Sequence, residues 1–240
     1  MKLNRRQKLL TLIILSLTII VIYKKTNNNN INYVNLGDGL AKGIDSYGIN
    51  DYGYSDYFRD YLKETNKLKD YSNEFTNEEM TIKSLTNTLI TNKKMFHNNK
   101  KTSIKEILRD ADYLTISIGM NDLMYKLNIR NDYSEFNLNR IIYEIEKDFN
   151  ELINEIKKVY PHKIYIIGQY SNNKDIFYKD SVKKLNNIYK NNPDVTYIST
   201  LDIINNKDVF FSNPYSYYPN YKGYKYIYYK MLDKITKNTW

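Results

Sequence analysis

The stretch that most limits the fold of this chain is residues 31–40, an apolar run that ends in Gly37-Asp38-Gly39 and then enters a helix-forming segment. A strand that stops at a glycine-flanked aspartate is typical of the first strand of an α/β sheet, which delivers a functional loop at its carboxyl end. Residues 31–40 therefore predict an open α/β sheet with a site at this loop.

Alternating strand and helix patterns run through the rest of the chain. Strands are expected at 68–75, 113–118, 164–168 and 195–199, and helices at 57–62, 81–92, 104–109, 136–160, 182–189 and 223–235. Residues 93–101 read as a basic polar loop, in which His97 is expected to be exposed to solvent. Such alternation predicts one α/β domain, a three-layer α/β/α arrangement with a central, flavodoxin-like parallel sheet.

The amino-terminal segment is apolar from residue 9 to residue 23 and is flanked by basic residues. It is short for a bilayer span of about 20 residues, but flanking lysines can reach the headgroups. We predict one transmembrane signal anchor, with residues 1–25 forming a cytoplasmic basic tail and helix, 26–30 a polar tether and 31–240 the domain. The domain then lies outside the cytoplasmic membrane; secretion after signal cleavage is the alternative.

Charge and composition exclude several functions. The net charge of +9 includes six lysines and arginines within residues 1–25, which contain no acid, so the rest of the chain carries only 30 basic and 27 acidic residues. That balance gives no basic face for nucleic acid. The chain has no cysteine and two histidines, so thiolate chemistry is excluded, and neither a metal site nor a cofactor is expected.

A dinucleotide-binding loop is one alternative for Gly37-x-Gly39-x-x-x-Gly43, but the glycine spacing differs by one residue from the known motif. It also lacks an acidic residue at the end of a second strand to bind a ribose. The dinucleotide interpretation is therefore disfavoured.

Three blocks taken together resemble the SGNH (GDSL-type) hydrolases, a family of esterases, lipases and acyl hydrolases. Residues 36–40 match its Gly-Asp-Ser block except at the serine, and residues 118–122, Ile-Gly-Met-Asn-Asp, match its Gly-x-Asn-Asp block. Residues 213–224 follow the frame of its Asn-Pro-x-Asp-x-His-Pro block. The resemblance covers residues 31–236 and implies an ester hydrolase of this fold.

The positions that differ are those that would carry the chemistry. By this resemblance the nucleophilic serine falls on Gly39, the aspartate on Ser216 and the histidine on Tyr218. A hydroxyl nucleophile needs an adjacent imidazole that a carboxylate orients, and none of these three side chains supplies its part. Catalysis by the ordinary triad is therefore not expected.

The remaining family positions predict a pocket without a nucleophile. Gly119 and Asn121 are the expected oxyanion or pocket residues, while Asp38, Asp122 and Asn213 are candidates for its lining; alternatively, Asn121 caps a turn and Asp122 begins a helix. The block that should offer an oxyanion glycine, residues 73–81, has no glycine and contains Glu78 and Glu79, whose charges would repel an oxyanion.

These observations leave three functions open. The first is an inactive pseudo-hydrolase of the cell envelope that binds an acyl, glycan or protein ligand in the former active-site cleft. The second is an esterase with displaced catalytic groups, and the third is a structural or assembly protein. The tyrosines of residues 215–224 could stack on a sugar, although packing is the simpler explanation in a chain with 26 tyrosines.

Overall fold

A parallel β-sheet organises the part of the chain that the structure, a computed structural model, describes: residues 14, 16, 30–130, 132–172 and 175–237. Its strands are β1 (Ile31–Gly37), β2 (Leu68–Ser72), β5 (Tyr113–Ser117), β6 (Ile164–Ile167) and β7 (Val195–Ile198). They lie in the order β2-β1-β5-β6-β7, and every neighbouring pair is parallel. This is a doubly wound order. In such sheets a ligand binds at the point where the strand order reverses, here between β1 and β5.

Helices follow the strands and cover both faces of the sheet. They are α1 (Gly39–Lys42), α2 (Tyr54–Glu64), α3 (Ile82–Ile90), α4 (Ile104–Arg109), α5 (Met120–Arg130), α6 (Glu135–Lys157), α7 (Ile176–Asn191), α8 (Lys207–Phe210) and α9 (Tyr221–Lys237), with a 3₁₀ helix at Leu201–Asn206. The predicted three-layer α/β/α fold with a central parallel sheet is confirmed.

The protein has a hydrophobic core on each face of the sheet, because successive side chains of a strand point to opposite faces. In β1, Val34 packs into a core that also contains Phe149 of α6, whereas Tyr33 packs into the opposite core with Phe58 of α2 and Tyr224 of α9. Because both faces of the sheet are covered by helices, these strands read as continuous apolar runs in the sequence.

The segment predicted as a loop at residues 93–101 is a β-hairpin, so that prediction is wrong. β3 (Lys94–His97) pairs antiparallel with β4 (Lys100–Ser103), and Asn98 and Asn99 form the turn with φ of 47° and 62°. His97 is only 8% exposed, contrary to the expected exposure, because the hairpin turns it inward onto Asp70 and Glu74.

Except for residues 14, 16 and 30, the predicted signal anchor at 9–23 and the tether at 26–30 lie outside the described residues. Among the residues that are described, no helix has the length and hydropathy needed to cross a membrane.

Candidate functional site

The loop after β1 has a fixed backbone that directs Asp38 inward. Gly37 has a φ of +124°, and a Cβ built on it would stand 1.8 Å from the carbonyl oxygen of Ser117 in β5, so only glycine fits there. The Asp38 carboxylate caps α1 by accepting hydrogen bonds from the backbone amides of Leu40 (3.1 Å) and Ala41 (3.4 Å). Burial raises the pKa of Asp38 to about 6, although these bonds oppose the shift.

Gly39 lies directly against the ring of Tyr218. A Cβ built on Gly39 would stand 2.2 Å from Tyr218 Oη and 2.6 Å from its Cζ, far inside van der Waals contact. The tyrosine hydroxyl therefore occupies the space that a side chain at position 39 would need. Burial, helped by the charges of Asp38 and Glu78, raises the pKa of Tyr218 well above its usual value, so the hydroxyl stays protonated.

The turn that carries Ser216 is held by its own hydrogen bonds. Ser216 Oγ accepts from the backbone amide of Tyr218 at 3.0 Å, while the Ser216 amide donates to the carbonyl of Asn213 at 3.0 Å. The Asn213 side chain accepts from the amide of Tyr215 at 3.0 Å. Ser216 and Asn213 thus shape the loop that presents Tyr218.

The Gly119-Met120-Asn121-Asp122 segment at the end of β5 braces a neighbouring loop. Asn121 Nδ2 donates to the carbonyls of Glu78 (2.8 Å) and Met80 (3.0 Å), which uses both of its hydrogens. The Asp122 carboxylate accepts from the amide of Ile82, the first residue of α3, at 3.0 and 3.2 Å. Burial raises the pKa of Asp122 to about 6.

Gly119 is required at its position for steric reasons. Its φ is +103°, and a Cβ there would stand 2.2 Å from the hydroxyl of Tyr189 in α7. That hydroxyl donates to the carbonyl of Ile118 at 2.7 Å. Gly119 therefore permits a buried tyrosine to pack against the end of β5.

A buried polar network was not anticipated from the sequence. Gln169, which follows β6 and is fully buried, donates from Nε2 to Ser117 Oγ (3.1 Å) and to the carbonyl of Ile118 (3.2 Å). Its Oε1 accepts from the hydroxyl of Tyr217, and Ser117 Oγ donates to Asp38 Oδ1 at 2.8 Å. A polar residue at the carboxyl end of a buried strand was the available signal. The partners of Gln169 follow only from the fold.

A cleft of about 810 Å³ opens at the carboxyl ends of β1, β5 and β6. Of the predicted site residues, Asp38, Asn121 and Tyr218 line it, while Gly39, Gly119, Asp122, Ser216 and Asn213 do not. Most of its other walls are apolar or aromatic, formed by Met120, Leu123, Met124, Tyr170, Tyr178, Val182, Pro214, Tyr215 and Tyr217, with Ser171, Asn172 and Lys207 as the polar remainder.

Both histidines lie away from this cleft. His97 is in the β3–β4 hairpin, and His162 packs against the ring of Tyr160 just before β6, at the amino end of the sheet. Within the described ranges no group of His, Cys, Asp or Glu side chains is arranged to hold a metal ion.

The fold and the position of the cleft define a three-layer α/β protein with a candidate site at the carboxyl ends of its strands. The sequence model described as GDSL-like Lipase/Acylhydrolase matches residues 33–230, and the chain belongs to this family. A search of the curated proteins returns no match.

Solved structures with the same fold include a lipase, Lip_vut3, from a goat rumen metagenome, with 16% identity, a TM-score of 0.68 and coverage of 85% of this chain and 97% of that one. Another is the acetyl xylan esterase Axe2 from Geobacillus stearothermophilus (14% identity, TM-score 0.57, 86% and 96% covered). A third is the psychrotrophic esterase EstA from a Pseudoalteromonas species (16%, 0.55, 87% and 97%).

Proposed function

We propose that this GDSL-family protein is a catalytically inactive pseudo-hydrolase of the cell envelope, anchored by residues 9–23, that binds a ligand in the former active-site cleft. The observation that carries the proposal is the position of the Tyr218 hydroxyl, which takes the space of a side chain at residue 39. A serine nucleophile and this tyrosine cannot both occupy that space.

The surrounding groups support the loss of ester hydrolysis. A tyrosine whose pKa is raised by burial is a poor base and a poor nucleophile at neutral pH. Asn121 donates both of its amide hydrogens to backbone carbonyls, so it offers none to an oxyanion in this arrangement. Neither histidine lies near Gly39 to replace the lost base.

The cleft walls indicate what kind of ligand would bind. Met120, Leu123, Met124 and Val182 form an apolar wall, and aromatic rings form much of the rest. Such a surface favours an acyl chain over a glycan, because a glycan needs more hydrogen-bonding groups. The ammonium group of Lys207, which donates to the carbonyl of Asn172 at 3.0 Å, is a polar point at its edge. A protein partner that inserts an apolar side chain would use the same wall.

The envelope location rests on the amino-terminal sequence. The apolar run at residues 9–23 follows four basic residues, a pattern that supports an amino terminus in the cytoplasm and a domain outside. Cleavage of this segment would release the same domain as a secreted protein.

Activity assays separate the pseudo-hydrolase from the esterase alternative. The purified full-length chain is offered p-nitrophenyl acetate and a fluorophosphonate that labels activated serines. We expect neither turnover above background nor labelling, whereas either result in the wild type would refute the proposal in favour of an esterase with displaced groups.

A restored triad tests the three substituted positions. The variant Gly39→Ser/Ser216→Asp/Tyr218→His should react with the fluorophosphonate, and its matched control, Gly39→Ala/Ser216→Asp/Tyr218→His, should not. Ligand binding is tested separately with a fluorescent fatty acyl probe. Binding that Met124→Arg abolishes supports a ligand cleft, and failure of all acyl, glycan and peptide probes to bind favours a structural role.

A further inference from the structure

The β3–β4 hairpin presents one face to the protein and the other to solvent. Its inner face carries Met95, which packs on the core, and His97, whose Nδ1 lies 2.8 Å from Glu74 Oε1 and whose Nε2 lies 2.6 Å from Asp70 Oδ2. Asn98 Nδ2 also donates to Asp70 at 2.9 Å. These contacts fix the hairpin beside β2, one of the two edge strands of the five-stranded sheet.

The outer face combines an exposed aromatic ring with positive charge. Phe96 is 74% exposed, and its cross-strand partner is Lys101. Lys94 is exposed on the same face as Phe96, and Lys100, the cross-strand partner of the inward His97, is exposed beside the turn. Counted over residues 93–106, five lysines stand against one acid, Glu106, whose carboxylate caps α4 by accepting from the amide of Ser103 at 2.8 Å.

This composition matches the chemistry of an anionic bilayer surface. An aromatic ring inserts at the level of the lipid headgroups, and nearby lysines are attracted to acidic lipids. The hairpin is held in place by its opposite face, so its position does not depend on Phe96. An exposed phenylalanine surrounded by lysines therefore favours a partner outside the domain.

The hairpin also lies near the point where the chain would leave a membrane. Asp70, which binds His97, is paired in register with Asn32, the second residue of β1. Residues 24–30, which precede β1, span about 25 Å at full extension. The start of β1 is thus held close to any bilayer that contains residues 9–23.

The cleft, by contrast, is at the far end of the sheet. β1 has seven residues and a length of about 23 Å, and the cleft opens at its carboxyl end. To turn the cleft onto the bilayer, the tether would have to stretch along the whole domain, which uses nearly all of its length.

We infer that the β3–β4 hairpin docks onto the anionic surface of the membrane that holds the chain, with Phe96 inserted, Lys94 and Lys101 over acidic headgroups, and Lys100 at the rim of the contact beside the turn. This inference rests on the anchoring part of the proposed function. Docking holds the β2 edge of the sheet against the lipid, and the tether keeps the start of β1 near it. The cleft, at the opposite end of β1, therefore opens away from the bilayer and takes its ligand from the outer side.

A single tryptophan reports this contact directly. The full-length chain has one tryptophan, Trp240. In a Trp240→Phe background, Phe96→Trp puts the probe on the hairpin, and Phe136→Trp puts a matched probe at another exposed phenylalanine, at the start of α6 (80% exposed). Each protein is reconstituted into vesicles of phosphatidylcholine alone, or with one third phosphatidylglycerol, that contain brominated lipid as a contact quencher.

We expect the hairpin probe of Phe96→Trp to be quenched and its emission blue-shifted only in vesicles with phosphatidylglycerol, and the α6 probe of Phe136→Trp to be unaffected in both. High salt should remove the shift because it screens the attraction between the lysines and acidic lipids. The variant Lys94→Gln/Lys100→Gln/Lys101→Gln should remove it as well, because the attraction of the three lysines to an acidic surface favours the docked state by about 100-fold. The matched control Lys147→Gln/Lys183→Gln/Lys190→Gln, on α6 and α7, should keep it.

Two results would overturn the inference in different ways. If the chain stays with the vesicles after an alkaline wash but the hairpin probe is not quenched, or the α6 probe is quenched instead, the anchor holds and the docking face is refuted. If the alkaline wash releases the chain from the vesicles, the anchoring part of the proposed function fails, and the docking inference fails with it.

Discussion

The contact between Gly39 and Tyr218 predicts that Gly39→Ala destabilises the wild-type protein but stabilises a variant that lacks the Tyr218 ring. Gly39 is the first residue of α1, and its φ is not among the positive values that only glycine tolerates. In open space Gly39→Ala should therefore stabilise the fold by about 0.4–1 kcal/mol, because alanine has less backbone freedom to lose on folding. With Tyr218 in place the new Cβ would stand 2.2 Å from its hydroxyl.

The overlap between the new Cβ and the Tyr218 hydroxyl decides how much stability Gly39→Ala costs. Tyr218 cannot keep its position, and it is held at both ends of its backbone: its amide donates to Ser216 Oγ at 3.0 Å and its carbonyl accepts from Ser46 Oγ at 2.9 Å. Forced displacement of a packed ring costs about 1–3 kcal/mol. For a chain of this size that loss lowers the melting temperature by about 2–12 °C.

The assay is a double-mutant cycle, followed by thermal unfolding of the full-length chain with circular dichroism. Gly39→Ala should lower the free energy of unfolding in the wild-type background and raise it in the Tyr218→Ala background, so the coupling energy, the difference between the two effects, is about 1.4–4 kcal/mol. If Gly39→Ala has the same effect in both backgrounds, the tyrosine does not fill this space, and the principal support for the loss of catalysis is removed.

Three further substitutions test the packing and charge of the site and the hairpin. Asp38 has a pKa of about 6 in the folded protein, above its value in the unfolded chain. The stability that it contributes is therefore complete below about pH 4 and is lost as the pH rises through 6. Urea titrations at several pH values should show that Asp38→Asn removes up to about 3 kcal/mol of this pH dependence of the free energy of unfolding. Hydrogen bonds to Glu74 and Asp70 raise the pKa of His97 against the opposing effect of burial. His97→Gln should cost about 1–3 kcal/mol and speed hydrogen exchange in residues 94–103, and unchanged exchange would show that His97 does not hold the hairpin against the domain. Gly37→Ala should yield no folded protein because the clash is with backbone, whereas Gly48→Ala, which also has a positive φ but no atom within 4 Å, should cost only about 1–2 kcal/mol; equal yields would refute this explanation.

The periodic parts of the fold were predictable. α6 was anticipated because its apolar residues recur every three or four positions, and β5 because it is a short apolar run. The hairpin was missed because Met95 and His97 are the inward residues of β3, Phe96 between them faces solvent, and the remaining residues are basic and polar. A two-stranded ribbon that buries so little gives almost no alternation to detect.

The site was predictable in its positions and not in its contacts. The three motif blocks locate Asp38, Asn121 and Tyr218, which do line one cleft. That Tyr218 fills the space at Gly39 depends on distances between segments almost 180 residues apart, which no local pattern contains. The same holds for Gln169, whose partners come from three other segments. The functional roles of these residues stay predictions until the variants are measured.

The hydrogen bonds from Tyr217 to Asp38 all point the same way, and this order couples the wall of the cleft to the protonation of Asp38. The hydrogens run one way, from the Tyr217 hydroxyl to Gln169, from Gln169 to Ser117 and from Ser117 to the ionised Asp38. A proton on Asp38 goes to Oδ2, because Oδ1 already accepts from Leu40, Ala41 and Ser117. There it opposes the hydrogens of Gln169 Nε2, 3.5 Å away, and so disturbs the order of the hydrogen-bond chain up to the tyrosine in the cleft wall. Binding of a ligand against Tyr217 is therefore coupled to proton uptake at Asp38, and the affinity for that ligand should change with pH near 6.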